Sequence, residues 1–197
     1  MPLDGERPFR ERRRARLLEA AAALFAAAPF AEVQVEEIAR RAGVGKPTLY
    51  RYFPSKEALY LEVFGAALAR LETELAAIAG APGPARERLA AMLTRLTAAL
   101  EQTRTLGLLE GERPDRTQNW RALYRARRHA ILDALRQVIE AGCQAGEFRR
   151  VDPAVTPALL IGIIRGGLAG APHASLDQVA AAAISLVLDG LVGGSSP

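Results

Sequence analysis

The chain has 197 residues, half of them apolar and 6% aromatic, which is enough for a sizeable core built mainly from Ala and Leu. A single cysteine, Cys143, rules out an intrachain disulfide and suits a reducing compartment, and two histidines, His129 and His173, offer no metal-ligand spacing. The whole net charge of +4 falls in residues 1–56, where eleven Lys or Arg face seven Asp or Glu, as expected of a polyanion-binding head on a neutral body.

Scarce β-branched runs and abundant Ala, Leu, Arg and Glu predict an all-α fold of about nine helices. The Arg-rich start carries Asp4, Glu6 and Glu11 and lacks an apolar core, so no signal peptide is expected. The first helix is predicted over Arg10 to Ala28, with Leu17, Ala21, Leu24, Phe25 and Ala28 on one stripe and the arginines of its basic end outward, until Pro29 ends it. A short helix follows from Val35 to Ala42, turned by Gly43, where φ must be positive. The next runs from Lys46 to Phe53, with Gly45 as N-cap and Pro47 in its first turn, where a missing N–H costs nothing.

Ser55 then caps a long helix from Lys56 to Ala79, whose Leu61, Phe64, Leu68, Leu71, Leu75 and Ile78 make one apolar stripe. Gly80 to Pro84 stop it. Further helices are predicted near 85–103, 105–111, 116–143, 153–170 and 175–192, and the tail from Gly193 is expected to fray. The apolar run from Ala154 to Pro172 is interrupted by Pro157 and Arg165, so it reads as a buried helix, and no contact with a membrane is expected.

Two short helices meeting at a Gly turn have the plan of a helix-turn-helix, the second helix being the one that enters a DNA groove. Ile38, Ala39, Val44 and Leu49 can form its internal core, which leaves Lys46, Pro47, Thr48, Tyr50, Arg51 and Tyr52 projecting. Two tyrosines, a threonine, a lysine and an arginine would be an odd solvent face for so short a helix. From Ile38 to Leu59 the order Ile-Ala-x-x-Ala-Gly-Val-x-Lys-x-Thr-Leu-Tyr-x-Tyr-Phe-x-x-Lys-x-x-Leu is continuous, and with the preceding helix it resembles the TetR family of bacterial regulators. Beyond residue 60 the resemblance is one of layout, together with a turn from Gly142 to Phe148 followed by Asp152 and Pro153.

The resemblance implies a helix-turn-helix domain over 1–55 and a ligand-binding and dimerisation domain over 56–197, linked by the helix from 56 to 79. It also implies a cytoplasmic, homodimeric repressor that leaves its double-stranded operator DNA when a small molecule of unknown identity binds. Combined with residue chemistry, it assigns Lys46, Lys56, Tyr50 and Tyr52 to phosphates, Thr48 and Pro47 to base edges, and Arg51 to guanine. Gln34 stands where the family usually has Ser or Thr, and it can still bond a phosphate. Glu36 has two readings, a cytosine contact or a solvated carboxylate.

In the second domain, Phe64, Leu68, Met92, Leu96, Trp120 and Tyr124 are candidates for a ligand pocket or for plain core. Gly162, Gly166 and Gly170, spaced by four, leave one helical face nearly bare for a partner helix, and Arg165 beside them would serve a dimer contact or an anionic ligand. His129 is expected at the surface and Cys143 as a buried, inert thiol. No Gly-rich phosphate loop, nucleophile set or ligand cluster can be picked out, so neither catalysis nor a metal or cofactor is expected. The rival reading is a DNA-binding regulator or architectural protein controlled by a protein partner, with no small-molecule input.

Overall fold

Helix breakers and caps in the sequence set most element boundaries of the computed structural model. It describes residues 6–105, 118–171 and 173–191, with side chains for 9–101, 127–171 and 173–191. Among the described residues there are eight α-helices and no strand: α1 (Glu6–Ala27), α2 (Val35–Arg41), α3 (Lys46–Tyr52), α4 (Lys56–Gly80), α5 (Ala85–Thr105), α6 (Gln118–Gln144), α7 (Thr156–Gly170) and α8 (Leu176–Leu191). The short helix expected at 105–111 falls almost wholly outside the described residues. α1 starts a turn before Arg10, at Glu6. None of these helices is long and apolar enough to cross a membrane.

The chain divides into two compact units, Met1–Ala67 with Gln102–Arg121, and Leu68–Glu101 with Ala122–Pro197. The core of the first gathers Leu17, Ala21 and Phe25 of α1, Ile38 of α2, Leu49 of α3, Phe53, and Leu59 and Tyr60 of α4, all withdrawn completely from water. Leu24, Ala28, Val44 and Leu61, expected in that core, are only half-buried. On α4 the periodic stripe predicted Leu61, yet the packing buries its two predecessors. Tyr60 is taken up by Phe25 and Phe30, with ring centroids 5.0 Å and 5.1 Å away, both edge-on.

In the second unit Leu71 and Leu75 of α4, Leu89, Met92 and Leu93 of α5, and Leu135, Val138 and Ile139 of α6 are buried. α7 packs on α8. α8 opens with a capping box, Ser175 accepting from the Gln178 N–H at 3.2 Å while the Gln178 side chain accepts from the Ser175 N–H at 2.8 Å.

One turn, residues 142–149, serves three helix ends. The last carbonyls and first N–H groups of a helix have no partner within it and must find one elsewhere. The Gly142 carbonyl of α6 accepts from Glu147 and Phe148 N–H at 2.9 Å and 3.1 Å, with Gly146 at φ 73° making the reversal. The Glu147 carboxylate accepts from the Ala85 and Arg86 N–H groups at 3.1 Å and 3.0 Å, capping α5, and these bonds hold its pKa below the usual carboxylate range. Arg149 donates from its N–H to Leu191 at 2.8 Å and from Nε to Gly190 at 2.6 Å, capping α8.

The Phe148 ring lies so close to Gly142 that a Cβ there would stand 2.2 Å from it. Gly142→Ala would gain about 1 kcal/mol of helix propensity and lose about 1–3 kcal/mol by overpacking. With the clash this severe the upper part of that loss applies, a net cost of about 1–2 kcal/mol, and Tm in a thermal melt should fall by roughly 2–8 °C, on the basis of about 2–4 °C per kcal/mol. An unchanged Tm would mean that the ring can move away freely.

Candidate nucleic-acid interface

The turn between α2 and α3 closes as a complete Schellman motif, with Val44 N–H donating to Ala39 at 2.9 Å and Gly43 N–H to Arg40 at 3.0 Å. Gly43 has φ 67°, where a side chain is strained, so the glycine in the motif is a backbone requirement. α2 obeys its dipole, with Glu36 and Glu37 in the first turn and Arg40 and Arg41 in the last. Gln34 is its N-cap residue but makes no side-chain cap; its amide donates instead to the Glu32 carbonyl at 3.4 Å. α3 starts at the Gly45 cap with Pro47 in its first turn, and Thr48 and Leu49 N–H groups donate to the Gly45 carbonyl at 2.9 Å and 3.2 Å.

Only Leu49 of α3 is buried. Lys46, Pro47, Tyr50 and Arg51 are exposed, and Thr48 and Tyr52 half-buried, so one short helix brings all six expected residues of the recognition face together. Lys46 is engaged across the motif by Glu36: the ammonium donates to the carboxylate, which raises the lysine's pKa and lowers the acid's. Sequence spacing left Glu36 with other readings because a ten-residue separation gives no helical register between them.

Lys56 starts α4, whose N-terminus is capped by Ser55 accepting from the Ala58 N–H at 3.1 Å. The Lys56 ammonium lies 4.3 Å from the centroid of the Phe30 ring, and burial there pushes its pKa below the usual lysine range against the opposing charge of Glu57. Phe30, not anticipated as a functional neighbour, thus braces a lysine assigned to phosphate.

Of the pocket candidates, Phe64 belongs to the first unit, stacked on Tyr60 with centroids 6.3 Å apart, while Leu68, Met92 and Leu96 belong to the second; all four are buried. The side chains of Trp120 and Tyr124 lie outside the described residues. On α7, Gly162, Gly166 and Gly170 face open space; α8 instead approaches at Gly167, where a Cβ would stand 3.0 Å from the Val179 side chain. Arg165 is half-buried and His129 exposed. Cys143, expected to be buried, is half-buried, its thiol donating to the Arg149 carbonyl at 3.2 Å in the capping turn.

Two family models match this architecture in order: the bacterial regulatory proteins of the tetR family over residues 17–63, and the tetracyclin repressor-like C-terminal domain over residues 82–167. The chain belongs to the tetR family. The first match spans α1 to the start of α4 and thus contains the helix-turn-helix; the second spans α5 to most of α7.

A named relative is the HTH-type transcriptional repressor KstR of Mycolicibacterium smegmatis, 38% identical over 100 residues that cover 50% of this chain and 48% of that protein. The chain spans about half or less of the length of the curated relatives it matches. Among solved structures, a TetR/AcrR-family regulator from Thermobifida fusca aligns with a TM-score of 0.75 at 27% identity, covering 90% of this chain and 97% of that one. Bacillus subtilis FadR in complex with stearoyl-CoA aligns with a TM-score of 0.70 at 20% identity, covering 90% and 98%, a likeness of fold.

Proposed function

We propose that this tetR-family chain is a homodimeric transcriptional repressor that binds operator DNA through α3 and releases it when a small-molecule ligand binds the C-terminal domain. The observation that carries the DNA reading is the outer face of α3, where a lysine, a proline, a tyrosine and an arginine stand exposed around one buried leucine. Such a face suits a major groove: Arg51 can fork onto guanine and Thr48 can touch a thymine methyl, while Tyr50, Tyr52, Lys46 and Lys56 reach phosphates. Gln34 would add a phosphate contact at the start of α2. The relative KstR, a repressor by name, supports the sign of regulation. The role is binding rather than catalysis, and it is exercised in the cytoplasm, where the DNA is.

Dimerisation is supported by an apolar face on α7 and α8 that the lone chain leaves uncovered. Leu159 is 59% exposed and Leu186 65%, and the open row of Gly162, Gly166 and Gly170 admits a close neighbour. Arg165, on the same helix, fits the rim of that contact. Two recognition helices of a symmetric dimer read successive grooves only when about 34–36 Å apart. A ligand that moves α4 can change that separation, with Leu68, Met92 and Leu96 of the second unit as its candidate contacts.

Operator fragments selected from random duplexes by the purified protein test the DNA reading. Tyr50→Ala should weaken binding to all of them alike, whereas Arg51→Ala should relax base preference at one position at a cost of roughly 1–3 kcal/mol. Failure to enrich any sequence, or unchanged affinity in Tyr50→Ala, would refute the assignment.

Gly166→Leu would put a bulky side chain on the open glycine row, and sedimentation should show monomers at concentrations where the wild type is dimeric. A variant that remains as dimeric as the wild type would move the interface elsewhere.

Stearoyl-CoA, the ligand in the FadR structure, is a first probe of the ligand site. If it acts here, its affinity should fall by about 5–150-fold when the selected operator is saturating, since coupling is reciprocal. Equal affinities with and without operator would show that it is not coupled to DNA release.

A further inference from the structure

The positive charge of the head can be sorted by what already neutralises it. Arg14 is paired with Glu62, Arg40 with Glu37, and Lys46 with Glu36. Arg10, Arg16, Arg41 and Arg51 have no carboxylate partner among the described residues, and all four are exposed. Arg51 lies on the recognition face, and Arg41 sits in the last turn of α2, where the helix dipole favours a cation. That leaves the two on α1 without a structural account. Arg13, between them, is half-buried and lies over the ring of the exposed Phe9 at 4.4 Å, and it too has no carboxylate partner among the described residues.

These three arginines stand three residues apart along α1, close enough for like charges to repel, and good helix formers without charge would fill the positions with less strain. Their location is not neutral with respect to DNA. The guanidinium of Arg16 lies against the turn of the helix-turn-helix: its terminal nitrogen is 2.6 Å from where a Cβ on Gly43 would stand. That turn leads directly into Gly45 and the N-terminus of α3, the end of a recognition helix that meets base edges. On a duplex bound through α3, a guanidinium held beside that entry would lie next to the phosphates that flank the groove, and planar guanidinium groups bind phosphate well.

We infer that α1 is itself a DNA-binding element, in which Arg16, with Arg13 and Arg10 trailing away from it, contacts backbone phosphates beside the groove occupied by α3. The inference rests on the reading of residues 1–55 as the DNA-binding head and extends that head's footprint beyond the helix-turn-helix. Contacts of this kind carry no sequence information; they add affinity and dependence on salt.

The test compares the full-length wild type with an Arg10→Gln, Arg13→Gln, Arg16→Gln variant and with the matching Arg→Lys variant. A labelled duplex of mixed sequence is titrated at salt concentrations from about 50 to 200 mM. The slope of log affinity against log salt should become shallower by about 0.9 for each phosphate that is no longer neutralised, or roughly 2.7 per head in the Gln variant. The Lys variant, which keeps the charges, should keep the wild-type slope. A single Arg16→Gln variant should make the slope shallower by about 0.9 and serves if the triple variant fails to fold, as judged by its circular dichroism. Unchanged slopes beside a wild type that binds duplex would overturn this inference alone, and so would an equal loss in the Lys variant, which would point to packing of α1. A wild type that binds no duplex would overturn the reading of the head and this inference with it.

Discussion

The head of this protein depends on where Tyr60 is held. α2 and α3 have seven residues each, too few to be stable alone, so they must be packed against a frame made by α1 and α4. Phe25 of α1 and Phe30 after it close edge-on around the Tyr60 ring, Phe64 stacks on its far side, and burial drives the phenol pKa well above its ordinary range. With that frame set, Val35, Ile38 and Ala39 of α2 and Leu49 of α3 are the buried side chains that seat the two short helices. The rest of α3 is free to carry residues chosen for a partner rather than for the core.

The same frame governs charge. Phe30 is shared between the aromatic cluster and Lys56, and the pair of Arg14 with Glu62 ties α1 to α4 beside Phe53, whose ring lies 5.4 Å from the Arg14 guanidinium. Exposed ion pairs of this kind contribute little to stability. Their larger effect is on the field, because each one offsets a cation that a polyanion would otherwise meet at full charge, and of the arginines left without a carboxylate among the described residues Arg10, Arg13 and Arg16 stand on α1, Arg41 on α2 and Arg51 on α3.

Much of this was legible before any coordinates. The order from Ile38 to Leu59 identifies two short helices, their turn and the residues that project, because each of those features is set by neighbours in the chain: a positive-φ glycine, a proline in a first turn, one buried leucine. The long stripe on α4 was equally visible from its period. Its first turn was not, since Tyr60 is buried by residues some thirty to thirty-five positions earlier, and periodicity carries no information about them. The capping box at Ser175 and Gln178 was written in the sequence and needed only the right spacing to be noticed. The caps supplied by Glu147 and Arg149 were not, because their partners lie on α5 and α8. The recurrent turn that begins at Gly142 was recognisable as a pattern, while its cause, a phenyl ring resting on the glycine, is visible only in three dimensions.

That turn also bears on how the chain tolerates change in length. Loops are usually where insertions, tags and nicks are accepted, since little depends on the path of the backbone there. The stretch from Gly80 to Pro84 fits this expectation: all five residues are exposed, and one turn-type bond, from Ala81 N–H to Ile78, involves the backbone N–H groups within it. The stretch from Gly142 to Arg149 is irregular in the same way yet supplies end groups to α5, α6 and α8 together. One extra residue there would uncap three helices at once, so under insertion this loop behaves as core.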